Sequence, residues 1–381
     1  MSRNATIALV LVTVGSVVAV WHLSTDEAAQ PDHLTICSFN IQFLGHYTSR
    51  DHQSLADLMA PFDIVVVQEL VAPPYPMDFP DGTPVNADEE ARAFFDAMRG
   101  HGFAYWLSEE DTGKGSTIHT NGTGTEWWVV FFKPDRVDTA ADLPLGFLAQ
   151  NRAGHPDYDR VPYAFAFRTP GRTLDFVLVD VHLRKDGGQA NRDRRRHELA
   201  SVAAWIDAHD TSERDFIVLG DMNIQNAAEL PYATPAEYVS LNGEAVPTNT
   251  NVNGPRPYDH VMYRRAFTTE MDEAFDVKVV DLIKAMRPYW RSSEPYPGDP
   301  YVHDAFRQRY SDHHPVVFRL IVPEADDDGP AAQPVTVYVT PTGSKYHLPG
   351  CHTLGENRTA MTLEEAKRQK YDPCGVCRPP E

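Results

Sequence analysis

The chain has 381 residues, 42% of them hydrophobic and 23% charged, which is the make-up of a globular protein and excludes a disordered or fibrous one. A formal net charge of -20 excludes broad, sequence-blind adhesion to polyanions, although a local basic patch or a bound cation can offset that field at one site. This length holds one large domain and an accessory module.

Arg3 precedes an uncharged, mostly apolar run, Ala5–Trp21, and Asp26 and Glu27 follow it. The run lies at the short end of the roughly 17–25 residues that cross a bilayer, and exceeds the ~7–15 of a signal-peptide core. Positive charge before it and acids after it place the body outside. We expect residues 1–29 to be a signal anchor, or a signal peptide cut near Val17 and Ala19. The protein is then exported, with a membrane tether through residues 5–21.

Residues 30–322 read as the main domain. Leu34–Phe39 starts a strand that leads into Asn40. Ile64–Val67 is a second apolar run, ending in Gln68-Glu69. Asn86-x-x-Glu89 has the form of a capping box for a helix with Ala91, Phe94, Phe95 and Met98 inward and Gly100 as its stop. Glu126–Phe132 is a strand of aromatics and valines, with Trp127 and Trp128 on opposite faces. Tyr163–Arg168 and Thr173–Val181 pair across the Pro170-Gly171 turn. His197–His209 is a helix; Phe216–Leu219, Val261–Tyr263 and Val316–Val322 are further strands. Continuously apolar runs imply strands covered on both faces, and short returns beside helical crossovers imply mixed sheets. Glu324–Pro334 is a linker within residues 323–334, and residues 335–381 form a compact tail.

Several strands end in chemistry-bearing groups: Asn40, Glu69, His182, and Asp221 with Asn223. Asp259, Asp312 and His313 border other strands, and Glu126 and Arg160 lie just before two more. Taken singly, each has an ordinary reading as a turn residue, a solvated carboxylate or a core histidine. Together they place oxygen ligands and imidazoles at the rim of a sheet, a set suited to a hard divalent cation working on phosphate.

The order and context of these segments resemble the endonuclease/exonuclease/phosphatase superfamily, the deoxyribonuclease-I-like fold. The residues that carry the resemblance are Ser38-Phe39-Asn40-Ile41-Gln42, Val67-Gln68-Glu69, Glu126 before Trp127-Trp128, Arg160-x-Pro162, Val181-His182-Leu183, Gly220-Asp221-Met222-Asn223, Tyr258-Asp259-His260 and Ser311-Asp312-His313-His314-Pro315. The resemblance implies an α/β fold, a four-layer α/β/β/α sandwich of two mixed sheets. It implies that Asn40, Glu69 and Asp312 surround Mg2+ (or Mn2+ or Ca2+), and that Asp221 and Asn223 face the scissile phosphate. It further implies that His182, oriented by Asp259, and His313, oriented by Glu126, move protons, and that Arg160 contacts phosphate. Members differ over whether a histidine or the aspartate at the Asp221 position activates water.

For substrate, Arg184, Lys185, Arg192, Arg194, Arg195 and Arg196, then Arg287 to Tyr310 with interleaved aromatics, suit a nucleic acid, DNA ahead of RNA, as well as they suit solvated and packed surfaces. Ile224-Gln225-Asn226 after the Asp221 segment disfavours an inositol-phosphate phosphatase. A sphingomyelinase-like lipid phosphodiesterase is the alternative, with Ala72–Phe79 as its one modest apolar loop, and an inert envelope binding protein is the second. In the tail, His347-x-x-x-Cys351 and Cys374-x-x-Cys377 supply a Cys3His set for Zn2+, with His352 as an alternative ligand and a disulfide as the competing reading. Thr362-x-x-Glu365 would cap a short helix between the two halves. Tails of this pattern resemble small metal-binding modules appended to some bacterial nucleases and envelope proteins.

Overall fold

The structure, a computed structural model, describes residues 32–113, 118, 124–171, 173–210, 213–275, 277–324, 336–341, 343–348, 351, 353–354, 357–377 and 379. The apolar run Ala5–Trp21, most of the linker, and His352 lie outside the described residues. So does the Thr362 side chain expected to cap the tail helix.

The principal strands are β1 (Asp32–Leu44), β2 (Ile64–Leu70), β3 (Ala104–Leu107), β4 (Trp127–Phe132), β5 (Tyr163–Arg168), β6 (Asp175–His182), β7 (Phe216–Asp221), β8 (Asp259–Tyr263) and β9 (Val316–Val322). They form two mixed sheets. The first runs Lys278–Val279, β9, β1, β2, β4, β3; the second runs Val239–Ser240, β8, β7, β6, β5, Asp138–Thr139. In each sheet the central pair is parallel, β1 with β2 and β6 with β7, and the flanking pairs are antiparallel.

The main helices of this domain are α1 (His52–Met59), α2 (Glu89–Gly100), α3 (Gln189–Asp207), α4 (Leu282–Met286) and α5 (His303–Arg309), beside a single turn at Leu230–Ala233. A parallel pair requires a crossover, and α1 and α3 lie in the two that are needed. Leu55, Met59, Phe94, Phe95, Met98, Leu282 and Phe306 pack on the outer face of the first sheet with Val65, Val67 and Phe131. Leu199, Val202 and Ile206 of α3 cover the second sheet at Val177, Val179 and Val218. Ile64, Val66, Trp128, Phe165, Phe167, Leu219, Val261 and Phe318 fill the space between the sheets. The layers are therefore α/β/β/α. Strand alternation makes them, since Val65 and Val67 face the helices while Ile64 and Val66 face the other sheet. Trp127 stacks on Phe79 at 5.4 Å in the outer layer, and the Trp128 indole donates to Val161 O at 2.9 Å in the interior. Both rings are packing residues.

Two helix starts differ from expectation. The cap of α2 is Asp88, whose Oδ1 accepts from the N–H groups of Glu90 and Ala91, because a cap must directly precede the first helical turn; Asn86 comes too early. α3 begins at Gln189, ahead of His197, because its first two turns are arginine-rich and carry no apolar period.

A second buried polar contact joins the two sheets, strand to strand. The Gln68 amide donates to Asp180 Oδ1 at 2.7 Å, linking β2 to β6, and both side chains have no exposed surface. Burial pushes the Asp180 carboxyl well above the usual carboxylate range, so its neutral form is favoured.

The tail pairs Thr336–Val339 with Thr359–Thr362 and Lys345–Tyr346 with Asp372–Pro373, beside the helix α6 (Leu363–Arg368). Its buried apolar cluster contains Val337, Val339, Tyr346, Leu363 and Ala366, a core small enough to need a staple.

Gly220 has φ +131°, and a Cβ there would stand 2.1 Å from Val181 O of the neighbouring strand. We predict that Gly220→Ala costs about 3 kcal/mol or more, from backbone strain and overpacking together, read as a lowered denaturation midpoint. Unchanged stability would contradict this packing.

Candidate active site and metal centres

The carboxyl ends of both parallel pairs point to one rim. β1 ends near Asn40, β2 near Glu69, β6 at His182 and β7 at Asp221. Antiparallel neighbours reach the same rim by their amino ends: β4 just after Glu126, β8 at Asp259 and β9 just after Asp312 and His313. Register aligns His182 with Asp221, and Asp221 with Asp259, in a row across three adjacent strands.

Asp221 is central. Its Oδ2 lies 3.1 Å from Asn40 Nδ2, 3.4 Å from His182 Nε2 and 3.7 Å from His313 Nε2. Asn40 Nδ2 also donates to Glu69 Oε1 at 3.0 Å, and Glu69 Oε1 is 3.9 Å from His182 Nε2. Asp312 Oδ1 lies 3.9 Å from His313 Nε2. The expected residues Asn40, Glu69, Glu126, Arg160, His182, Asp221, Asn223, Asp259, Asp312 and His313 are thus brought together.

The histidine partners are the reverse of those expected. His313 Nδ1 is 2.8 Å from Asp259 Oδ2, and His182 Nδ1 is 3.0 Å from Glu126 Oε1. Strand order explains the exchange. β6 packs across the interior from β2, whose sheet neighbour β4 follows Glu126, while β8 is the second sheet's counterpart to β9 at the other flank. Each imidazole therefore meets the carboxylate on its own side of the sandwich.

Asn40 and Asn223 also differ in orientation from a simple ligand reading. Asn40 Oδ1 accepts the Gln42 N–H at 2.9 Å, so the amide turns its nitrogen to the two carboxylates. Asn223 donates its side-chain amide to Leu183 O at 3.2 Å and its backbone N–H to Asp221 Oδ1 at 2.9 Å, bracing the Asp221 turn. Arg160 pairs with Glu126 Oε1 at 2.8 Å and donates to His182 O at 3.3 Å, which puts its charge beside His182.

Burial opposes charge on His182, His313, Glu126, Glu69 and Asp312, and their partners decide the balance. Burial and Arg160 lower the His182 pKa, but Glu126 and Asp221 outweigh them and raise it. Burial also disfavours charged His313, yet Asp259, Asp221 and Asp312 hold its pKa well above the ordinary value. Glu126 is drawn below its usual range by His182 and Arg160 in spite of burial. Glu69 and Asp312 are pushed up, first by burial and then by the carboxylates near them. Two adjacent carboxyls raised in this way, with Asp312 Oδ1 buried and accepting no hydrogen bond among the described residues, are a donor set that a hard divalent cation fits.

Sequence reasoning assigned no role to three residues that shape the site. Thr248 Oγ1 donates to Asp259 Oδ2 at 2.6 Å and accepts the Asp259 N–H at 2.9 Å. Ser311 Oγ donates to Asn40 O at 2.7 Å and accepts from His313 N, tying β1 to the His313 turn. The buried Arg50 guanidinium donates to the carbonyls of Ile41, Gln42 and Tyr310. Ser311 lies inside a quoted motif and could have been flagged; Thr248 and Arg50 sit in loops without pattern.

Most of the basic stretch is structural. Arg195 is fully buried against Glu229, Arg194 pairs with Asp159, and Arg184 bonds Asp159 and Asn191. Phe306, Tyr296 and Tyr310 are core residues. The expected apolar loop is packed as well: Pro73, Pro74 and Phe79 are buried.

In the tail, His347, Cys351, Cys374 and Cys377 place their ligand atoms within 4.8 Å of one another. Ligands about 2.3 Å from one ion would stand roughly 3.8 Å apart, so this cluster suits a tetrahedral thiophilic metal. The four cysteines of the chain, Cys37 included, are free thiols, so no disulfide replaces it. Backbone N–H groups of Leu348 and Val376 donate to Cys377 Sγ and Cys374 Sγ at 3.3 and 3.4 Å. The Cys377 and Val376 N–H groups hold the Cys374 thiol down at about 6, and Thr353 and His347 lower Cys351, which favours the metal-binding thiolates.

No family model matches the chain, and no curated relative does. Solved structures are similar to it. An endonuclease/exonuclease/phosphatase family protein from Bacteroides thetaiotaomicron is 14% identical with a TM-score of 0.46, over 77% of this chain and 99% of that one. A mannosyl-6-phosphatase from the same organism is 14% identical with a TM-score of 0.47, over 76% and 99%. D. rerio TDP2, complexed with single strand DNA product, is 14% identical with a TM-score of 0.44, over 75% and 98%.

Asp259 is the largest single contribution raising His313. Asp259→Asn should therefore move the His313 titration to lower pH, since the imidazolium loses its charged partner and releases its proton sooner. Imidazole NMR, assigned against His313→Ala, reads this directly; an unmoved titration would refute the pairing.

Proposed function

We propose that this protein is a divalent-cation-dependent phosphodiesterase and, within that class, an exported nuclease acting on DNA or RNA. The observation that carries the proposal is the placing of Asp221 between two imidazoles, each backed by its own carboxylate, next to the Glu69 and Asp312 pair. Export rests on the Ala5–Trp21 run.

A divalent cation held by Glu69 and Asp312, with Asn40 beside them, would supply positive charge to the non-bridging oxygens of the substrate. The remaining chemistry belongs to the chain. His182 and His313, both favoured as imidazolium, turn Nε2 toward the same space and can hydrogen-bond phosphoryl oxygens as they gain charge. Asp221 between them is the carboxylate placed to take a proton from the attacking water. An imidazolium can return a proton to the departing alkoxide. Arg160 adds positive charge on the His182 side and is available to phosphate there. Asn223 keeps Asp221 in place.

The lipid alternative is disfavoured because Pro73, Pro74 and Phe79 of its candidate loop are buried, which leaves Pro76 as the exposed apolar residue of Ala72–Phe79. The inert-binder alternative expects missing catalytic groups, and the site is complete. The tail set His347, Cys351, Cys374 and Cys377 fits a structural Zn2+, separate from the catalytic cation.

Asp221→Ala and His313→Ala should each lower phosphodiesterase activity by about three orders of magnitude or more, with unchanged circular dichroism. The assay sets plasmid DNA, RNA and sphingomyelin against Mg2+, Mn2+ and Ca2+, then adds chelator; near-normal turnover by either variant would refute the assignment. Purified protein should also hold about one zinc per chain by elemental analysis, lost in Cys374→Ser. A variant that keeps its zinc would remove the tail site.

A further inference from the structure

Three rings stand together directly after Asn40. The Phe43 centroid lies 6.2 Å from His46 and 6.1 Å from Tyr47, and His46 and Tyr47 are 5.2 Å apart. His46 is exposed, and Phe43 and Tyr47 are half-buried. Core packing does not account for Phe43. Ile41 and Leu44 on either side belong to the buried apolar cluster under the helices, whereas Phe43 joins none of the apolar clusters among the described residues.

The backbone that presents Phe43 is unusual. Gln42 and Phe43 have φ 58° and 51°, consecutive left-handed positions that non-glycine residues rarely adopt. Groups of the active site hold them there. Asn40 Oδ1 accepts the Gln42 N–H at 2.9 Å, and Glu69 Oε2 accepts the Phe43 N–H at 3.0 Å. Arg50 grips the Ile41 and Gln42 carbonyls from beneath. Glu69 itself has φ 65°. Strain fixed by several partners at a catalytic rim is a mark of a functional position. Arg307, which pairs with Asp304 at 2.9 Å, donates to the Tyr47 hydroxyl at 3.0 Å and orients that ring.

We infer that Phe43, His46 and Tyr47 form a stacking subsite for a nucleobase next to the scissile phosphate, and that the preferred substrate is single-stranded nucleic acid. The inference rests on the nuclease reading of the same site. Aromatic faces bind any base with little regard to sequence. In a duplex each base face is covered by its neighbours, so a shelf of this kind reaches bases that are unpaired and splayed.

The test uses the full chain with Mg2+ or Mn2+ on a single-stranded oligonucleotide, its duplex, and an abasic deoxyribose-phosphate oligomer of equal length. Single strand should be cleaved in preference to both of the others. Phe43→Leu should cut the preference for base-bearing over abasic oligomer about tenfold, mainly through KM. In Phe43→Trp, the added fluorescence should be quenched by the oligonucleotide and not by the abasic oligomer. Equal cleavage of abasic and base-bearing strands by the native protein, or equal quenching by the two, would overturn the subsite. Cleavage of none of the three would instead overturn the nuclease reading, while the fluorescence still decides whether bases stack at Phe43.

Discussion

Negative charge crowded at one rim is the constraint around which the rest is arranged. Glu69, Glu126, Asp221, Asp259 and Asp312 converge there, out of bulk water, in a chain that already carries -20. Such a set is stable only with compensation. Part of it is internal: Arg160 and His182 answer Glu126, and His313 answers Asp259 and Asp221. The Glu69 and Asp312 carboxyls remain pushed toward neutrality, which is the opening a cation would fill. For an acidic chain the field that matters at such a site is the local one at the rim.

Much of this was legible because strands end abruptly. A short apolar run that stops at Asn40, Glu69, His182 or Asp221 announces both its direction and the group it delivers. Burial on both faces could be read from the same runs, since a strand such as Trp127–Phe132 with no polar face must be covered twice, whereas the α/β/β/α layering came from the resemblance. The histidine partners could not be read. Which carboxylate meets which imidazole depends on the lateral order of strands in two sheets, and chain order is silent on that. Thr248 and Arg50 escaped notice because each is an isolated residue in a loop, where no periodic pattern marks it. The arginines after His182 show the opposite error, since a cluster that looks like a polyanion surface is largely spent on Asp159 and Glu229.

Four of the eight non-glycine residues with positive φ among the described residues, Gln42, Phe43, Glu69 and Asn223, lie at one rim. None is glycine, so each position is kept by hydrogen bonds to its neighbours, and most of those bonds involve the rim carboxylates themselves. Positioning and charge are therefore the same set of contacts viewed in two ways.

The Gln68 to Asp180 contact has a consequence for how the two halves move. Half of the rim is delivered by one sheet and half by the other, so slippage of one sheet past the other would part His182 from Glu126 without unfolding either. Apolar side chains between the sheets resist separation but offer little against sliding, because their attraction has no direction. A directional bond between β2 and β6, set directly behind Glu69 and His182, acts as a dowel and keeps the two platforms indexed to each other.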